Sequence, residues 1–262
     1  MEILVCARRV PDTSENEIEL NAAGNDLERD ELVYSVNEPD NYAVEEALQI
    51  RDRVGGNVTV VTIGGEDDEE ILRRELAMGA NQAVLISDDA FSGSDGKGIA
   101  TTLKGFVQKG HYDLILTGVQ ADDGAAQVGG MLAAMLDYPF ASLVNSISVE
   151  DGKLKVGREI EGGNREMNEI DLPCVLSIQT GINEPRYVGM RGIRQVASVP
   201  IPTLGASDIG VDEAAVGEAA AKVKRVDYFV PALSKGAEML HGSREENADK
   251  VLELVAAKGG LK

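Results

Sequence analysis

The sequence has 262 residues, enough for one large α/β domain with an extension or for two small domains, and its 43% apolar content is enough to form a core. Aromatic residues make up 4%, tryptophan is absent, and 45 acidic against 25 basic residues leave a net charge of −20, a balance that repels nucleic acid and anionic membranes. No apolar run approaches the roughly 20 residues of a membrane span, and Met1-Glu2-Ile3-Leu4-Val5-Cys6 enters a strand pattern directly, without the layout of a signal peptide. No membrane insertion and a cytoplasmic location are therefore expected. The acidity serves general solubility or presents a surface to a basic partner.

Short apolar runs rich in β-branched residues alternate with amphipathic segments. Strands are expected at residues 3–6, 57–63, 82–86 and 113–117. Between them, residues 40–54 place Ala43, Ala47, Ile50 and Val54 at helical spacing, and residues 67–78 and 97–109 read similarly. Strand and helix in alternation predict a parallel sheet with helices on both faces, which binds ligands outside the carboxyl ends of its strands. From residue 141 the pattern changes. Residues 141–149 and 153–160 flank the hairpin signal Asp151-Gly152, and the turn at 161–164 leads to further strands at 165–171 and 173–179. This predicts an antiparallel ribbon attached to the parallel sheet. Val199-Pro200-Ile201-Pro202 reads as a stiff linker, so the boundary is placed between a 1–199 nucleotide-binding domain and a 200–262 extension. The last segment is a helix with a capping-box spacing at Ser243 and Glu246 and an apolar face of Val251, Leu252, Leu254 and Val255. Such a helix packs on its own domain or wraps a partner.

Three loops fall at expected strand ends. Gly118-Val119-Gln120-Ala121-Asp122-Asp123-Gly124-Ala125-Ala126-Gln127-Val128-Gly129-Gly130 leads from a strand into a helix expected at residues 126–136. A helix N-terminus there offers free N–H groups and a favourable dipole to a phosphate, and small residues allow close approach. The same loop could be an ordinary strand-to-helix turn with two solvated aspartates. Asn37-Glu38-Pro39-Asp40 precedes the first helix, where Asn37 either caps the helix or meets a nucleotide edge. Gly64 ends the strand at 57–63, leaving room for a ligand. No Walker A run, GxGxxG, GxSxG, HExxH or CxxC occurs, Cys6 and Cys174 sit in apolar runs as inert thiols, and the isolated His111 and His241 offer no metal spacing.

Glu159-Ile160-Glu161-Gly162-Gly163, followed by Gly181-Ile182-Asn183-Glu184-Pro185-Arg186-Tyr187, resembles the signature of electron-transfer flavoprotein beta subunits. Residues 37–46, Leu76-Ala77-Met78-Gly79-Ala80 and Gly118-Val119-Gln120-Ala121 resemble the family too, and the likeness runs from about residue 3 to about residue 260. It implies an adenine-nucleotide-binding, Rossmann-like α/β fold in an electron carrier that is not an enzyme alone. The implied partners are an alpha subunit, contacted by the C-terminal extension, and flavoprotein dehydrogenases. The redox FAD would sit mainly on the alpha subunit, with AMP, or a second FAD in bifurcating members, on this chain. The resemblance places the nucleotide on Cys6, Ala7, Asn37, Glu38, Pro39, Asp40, Gly64, and on Gln120, Ala121, Asp122, Asp123, Gly124, Ala125, Ala126, Gln127, Val128, Gly129 and Gly130. It places dehydrogenase docking on a loop bearing Tyr187, Gly189, Met190, Arg191 and Ile193. Three departures stand out: a loop after Gln120 one residue shorter, Thr13 where some members carry a tyrosine, and Met190 where a leucine is usual. Met190 is then either a partner anchor or a core residue. The competing functions are a bifurcating subunit that oxidises NADH at its own FAD, and a stand-alone adenine-nucleotide sensor.

Overall fold

A computed structural model describes residues 1–121, 124–150, 152–232 and 236–260. Its elements in order are β1 (Glu2–Cys6), β2 (Arg9–Pro11), β3 (Tyr34–Val36), α1 (Glu38–Val54), β4 (Asn57–Ile63), α2 (Glu69–Met78), β5 (Gln82–Ile86), α3 (Gly96–Val107), β6 (Leu114–Gly118) and α4 (Val128–Leu136). They continue as β7 (Phe140–Glu150), β8 (Lys153–Ile160), β9 (Asn164–Ile170), β10 (Cys174–Ile178), α5 (Met190–Val196), β11 (Thr203–Leu204), α6 (Ala206–Ile209), α7 (Gly217–Ala220) and α8 (Arg244–Ala257).

A nine-stranded sheet runs in the order β11-β5-β4-β1-β6-β10-β7-β8-β9. From β11 through β7 the neighbours are parallel, and β8 and β9 extend the sheet as antiparallel strands. This is the mainly parallel α/β fold with an appended ribbon that the alternation of patterns predicts. Across β5, β4, β1, β6 and β10 both faces of the sheet are covered, which explains the continuous apolar strands, whereas β9 is mostly exposed. Ile3 and Val5 face one core with Ala43, Leu48, Leu72 and Leu76 of α1 and α2. Leu4 faces the other with Leu103 and Phe106 of α3 and Leu132 of α4. Each such buried Leu, Ile or Val stabilises the fold by roughly 1.5–3 kcal/mol relative to exposure.

Three short strands escape the sequence pattern. β2 and β3 form a separate antiparallel pair, with the Arg9 guanidinium 3.8 Å from the centre of the Tyr34 ring. β11 adds to the sheet edge beside β5, where the main chain of Leu85 and Ser87 donates to the Pro202 and Leu204 carbonyls.

The chain divides into two compact units, Met1–Glu19 with Glu28–Val226, and Leu20–Leu27 with Asp227–Lys262. The boundary expected after residue 199 therefore falls inside the first unit. Residues 200–226 belong there because β11 completes the sheet edge and Ala206, Ile209 and Val216 are buried in the core. In the second unit, Leu20 and Leu27 form an antiparallel bridge, and α8 begins with the expected capping box. Ser243 Oγ accepts from the Glu246 N–H at 3.3 Å, and the Glu246 carboxylate accepts from the Ser243 N–H at 2.7 Å. No residue of α8 is buried. Among the described residues no helix is long and apolar enough to cross a membrane.

Candidate functional site

β4, β1 and β6 lie side by side and end together at Ile63, Cys6 and Gly118. Asp40, in the first turn of α1, binds two of the loops that leave these ends. Its Oδ2 accepts from the Arg8 N–H at 3.0 Å and its Oδ1 from the Gly118 N–H at 2.8 Å. Gly118 has to be glycine for this contact, since a Cβ there would lie 2.3 Å from Asp40 Oδ1. Burial raises the Asp40 pKa to about 7, against the lowering effect of its hydrogen bonds. Asn37 is buried but does not cap α1 with its side chain. Its Nδ2 instead donates to the Gln120 carbonyl at 3.0 Å, tying the entry of α1 to the loop after β6.

These loops border a cavity of about 760 Å³ lined by residues 10–14, 35–39, Val119, Gln120, Leu143, Gln179 and Thr180. Of the residues singled out in the sequence, Asn37, Glu38, Pro39 and Gln120 line it. Ala7 and Asp40 are buried and Cys6 is half-buried, so they support the loops without lining the cavity. Burial raises both the Cys6 and the Cys174 thiol, the latter to about 12, which leaves them protonated and inert. Gly64 serves the turn into α2. Its N–H donates to the Ile86 carbonyl at 3.0 Å, and a Cβ would sit 2.1 Å from Asp68 Oδ2, the oxygen that accepts from the Gly65 N–H.

After Ala121 the loop is exposed at Gly124, Ala125, Ala126 and Gln127, and it passes through a left-handed turn at Ala126, with φ of 53°. Asp122 and Asp123 lie outside the described residues. α4 starts at Val128, two residues later than expected, with Gly130 in its first turn. Gly129 is buried, and a Cβ there would lie 2.4 Å from Ser177 Oγ and 2.9 Å from Thr117 Oγ1. The missing side chain thus seats the start of α4 directly on the ends of β6 and β10. Thr117 and Ser177 are themselves hydrogen-bonded at 2.9 Å.

Sequence reasoning missed part of the cavity wall. Gln179 and Thr180 follow β10, so the strand-end argument would reach them if carried one strand further. Leu143 carries no such signal. It has φ of 56° and lies beside register shifts in the pairings of β7 with β10 and with β8. The contribution of residues 10–14 depends on the β2–β3 pairing, which three-residue strands do not advertise.

The segment expected as a docking loop is partly helical. Gly189 is the N-cap of α5, and its carbonyl accepts from the Gly192 and Ile193 N–H groups at 2.9 and 3.3 Å. A seven-residue helix containing Gly192 has too short a period to be read from sequence. Tyr187 is 93% exposed and Met190 67% exposed, so Met190 is not a core residue. Arg191 is exposed as well, and Ile193 is half-buried.

Residues 26–209 match the family model described as the electron transfer flavoprotein domain. The electron transfer flavoprotein subunit beta of Methylophilus methylotrophus is 35% identical over 97% of this chain and 98% of its own length. This chain belongs to the electron-transfer flavoprotein beta-subunit family. The beta subunit of Thermoanaerobacterium thermosaccharolyticum is 36% identical, covering 97% of each chain. The caffeyl-CoA reductase-Etf complex subunit CarD of Acetobacterium woodii is 39% identical, covering 93% of each. The electron-transfer flavoprotein likeness thus includes the β7–β9 ribbon and residues 183–187, which an isolated nucleotide-binding sheet would not need.

Proposed function

We propose that this chain pairs with an alpha subunit in an electron-transfer flavoprotein that accepts electrons from flavoprotein dehydrogenases and passes them to a downstream acceptor. In this reading the alpha subunit holds most of the redox FAD, and the chain described here holds AMP at its strand ends. The flavin, when bound, supplies the one- and two-electron chemistry, and the residues of this chain bind, orient and shield. The observation that carries the reading is that the entry of α1 (Asn37, Glu38, Pro39) and the start of the loop after β6 (Val119, Gln120) border one cavity, while the glycine-seated start of α4 lies against the ends of β6 and β10. A volume of about 760 Å³ falls within the range of small-ligand sites. The small, exposed residues 124–126 fit close approach of a phosphate, and Asn37 and Gln120 supply polar groups at the cavity wall.

A second reading is favoured by the reach of the cavity past the strand ends to Thr13, Leu143 and Thr180. There the nucleotide would be a second FAD, in a bifurcating complex that oxidises NADH. Family membership gives no support to a stand-alone sensor. The test is the nucleotide inventory of the purified heterodimer after denaturation. One FAD and one AMP per heterodimer is the expected result, and two FAD would replace the first reading by the second. If AMP is the ligand, its removal lowers stability, and adding it back at a hundredfold excess over its dissociation constant restores about 3 kcal/mol, read as a rise in melting temperature.

A further inference from the structure

The motif Asn183-Glu184-Pro185-Arg186-Tyr187 leads into α5, and its polar side chains grip α1. Arg186 forks onto Glu45, with Nε donating to Oε2 at 2.7 Å and Nη2 to Oε1 at 3.0 Å. The Arg186 backbone N–H adds a bond to Oε2 at 3.2 Å, and Gln49 Nε2 donates to Oε1 at 3.0 Å. Burial by itself would raise the Glu45 pKa, but the bonds from Arg186 and Gln49 outweigh it and hold the carboxyl below its ordinary value. Bidentate pairs of this kind fix orientation as well as distance. One residue further along α1, Glu46 accepts from Asn183 Nδ2 at 3.1 Å.

The far end of the segment is held by α2. Arg73 Nη1 donates to the Val196 carbonyl at 2.9 Å and also to the Val199 carbonyl, while the same guanidinium pairs with Glu69. Between the two anchors, Gly192 lies against α2, where a Cβ would be 3.7 Å from the Ala77 Cβ. α5 itself buries no residue. A helix of seven residues has no stability of its own in water, so its pose is set by what holds its ends and by the partial burial of Ile193 and Val196.

We infer that Arg186, Glu45 and Arg73 are positioning residues that preform the projection carrying Tyr187 and Met190 for a dehydrogenase surface. The inference rests on the docking reading of Met190. Its physical basis is preorganisation: a segment already held in its bound pose loses less conformational entropy on association. Apart from these polar anchors the segment is held only by the partial burial of Val188, Ile193 and Val196, which alone would leave its order to be completed by its partner. Here a buried carboxylate on α1 and a guanidinium on α2 do that work beforehand.

The test uses the purified heterodimer carrying Arg186→Gln, Arg186→Lys, Glu45→Gln, Arg73→Gln or Met190→Ala. Hydrogen exchange is followed across residues 186–199, and kcat and KM are measured with a flavoprotein dehydrogenase that reduces the wild-type complex. Arg186→Gln and Arg73→Gln should speed exchange in the segment about tenfold or more and raise KM about tenfold with kcat little changed. Arg186→Lys should recover part of the loss, because it keeps the charge and loses the fork. Flavin and nucleotide content should stay constant. Should Glu45→Gln fail to fold, Arg186→Gln carries the test, because the Arg186 side chain is 38% exposed. Unchanged exchange, or faster exchange with unchanged KM, overturns the proposal. If Met190→Ala raises KM in that case, the docking reading survives alone. If Met190→Ala is also silent, the docking reading has failed with it.

Discussion

Glu75 on α2 is fully buried, and neither carboxylate oxygen has a hydrogen-bond partner. Burial raises its pKa from 4.5 to about 8, against a lowering effect of Arg74. A folded pKa above the unfolded one means that the native state holds a proton the unfolded chain has released. The contribution is fully present below pH 4.5 and is lost as pH rises toward about 8. By pH 7 the loss is on the order of 3 kcal/mol. Glu75→Gln should remove this slope and raise the melting temperature at neutral pH, as measured by thermal unfolding across pH. Asp40 has the same sign over a lower window, from pH 3.8 to about 7, and its slope should survive in the Glu75 variant. Gly129→Ala is expected to act locally. Its new methyl group meets Ser177 Oγ and Thr117 Oγ1, so α4 must lift from the strand ends at a cost of about 1–3 kcal/mol. The readouts are a lower melting temperature together with reduced bound nucleotide. If only the melting temperature falls, the start of α4 is structural and not part of the nucleotide site. At this scale the sequence pointed to Gln120 through its place after a strand and to Asn37 through its place before a helix, and both line the cavity. Asp40 was visible as a position, but its role was not, because its two N–H donors come from loops 32 and 78 residues away.

Among the elements, those with a repeating apolar pattern were readable and those made by pairing were not. β4 and β5 coincide with their expected ranges, because both are short apolar runs between turns. α1 starts two residues ahead of its expected start, since Pro39 suits a first helical turn. β2, β3 and β11 have two or three residues each, and their strand character exists only through a distant partner. α5 belongs to the same class, held by Arg186 and Arg73. Its exposed Met190 gives a prediction at this scale. Met190→Ala should change stability by less than about 0.5 kcal/mol, since it removes little buried area. It should slow electron transfer from the dehydrogenase, with flavin content unchanged. A melting temperature lowered by many degrees would mean that the side chain supports the fold after all.

For the molecule as a whole, the two units suggest where the chain can be cut. Truncation after Pro202 removes β11 and the buried Ala206, Ile209 and Val216, and it leaves the outer edge of β5 unpaired. Such a chain should aggregate or melt well below the intact protein. Truncation after Val226 follows the division between the units and should leave the nine-stranded sheet folded. Its soluble yield and circular dichroism melt would be compared with those of the shorter chain. We propose that residues 227–262 serve assembly with the alpha subunit, so the longer truncation should co-purify less alpha subunit. The Pro-rich stretch at 199–202 read as a linker because proline breaks regular patterns, yet it delivers the chain to the last strand of the sheet. Which unit a segment joins depends on long-range packing, which local composition does not record.

The position of β10 has a consequence for the order of assembly. It is synthesised after β7, β8 and β9 but lies between β6 and β7. As the chain emerges, the β7–β9 ribbon is complete while the open edge of β6 still lacks its neighbour. Direct docking of β7 onto β6 would block the place reserved for Cys174–Ile178. The ribbon must therefore stay apart until β10 arrives, a long-range pairing of the kind that folds slowly and exposes strand edges. Chains stalled before residue 174 should then show protease protection in neither β6 nor the ribbon, and chains released beyond residue 178 should gain it in both at once.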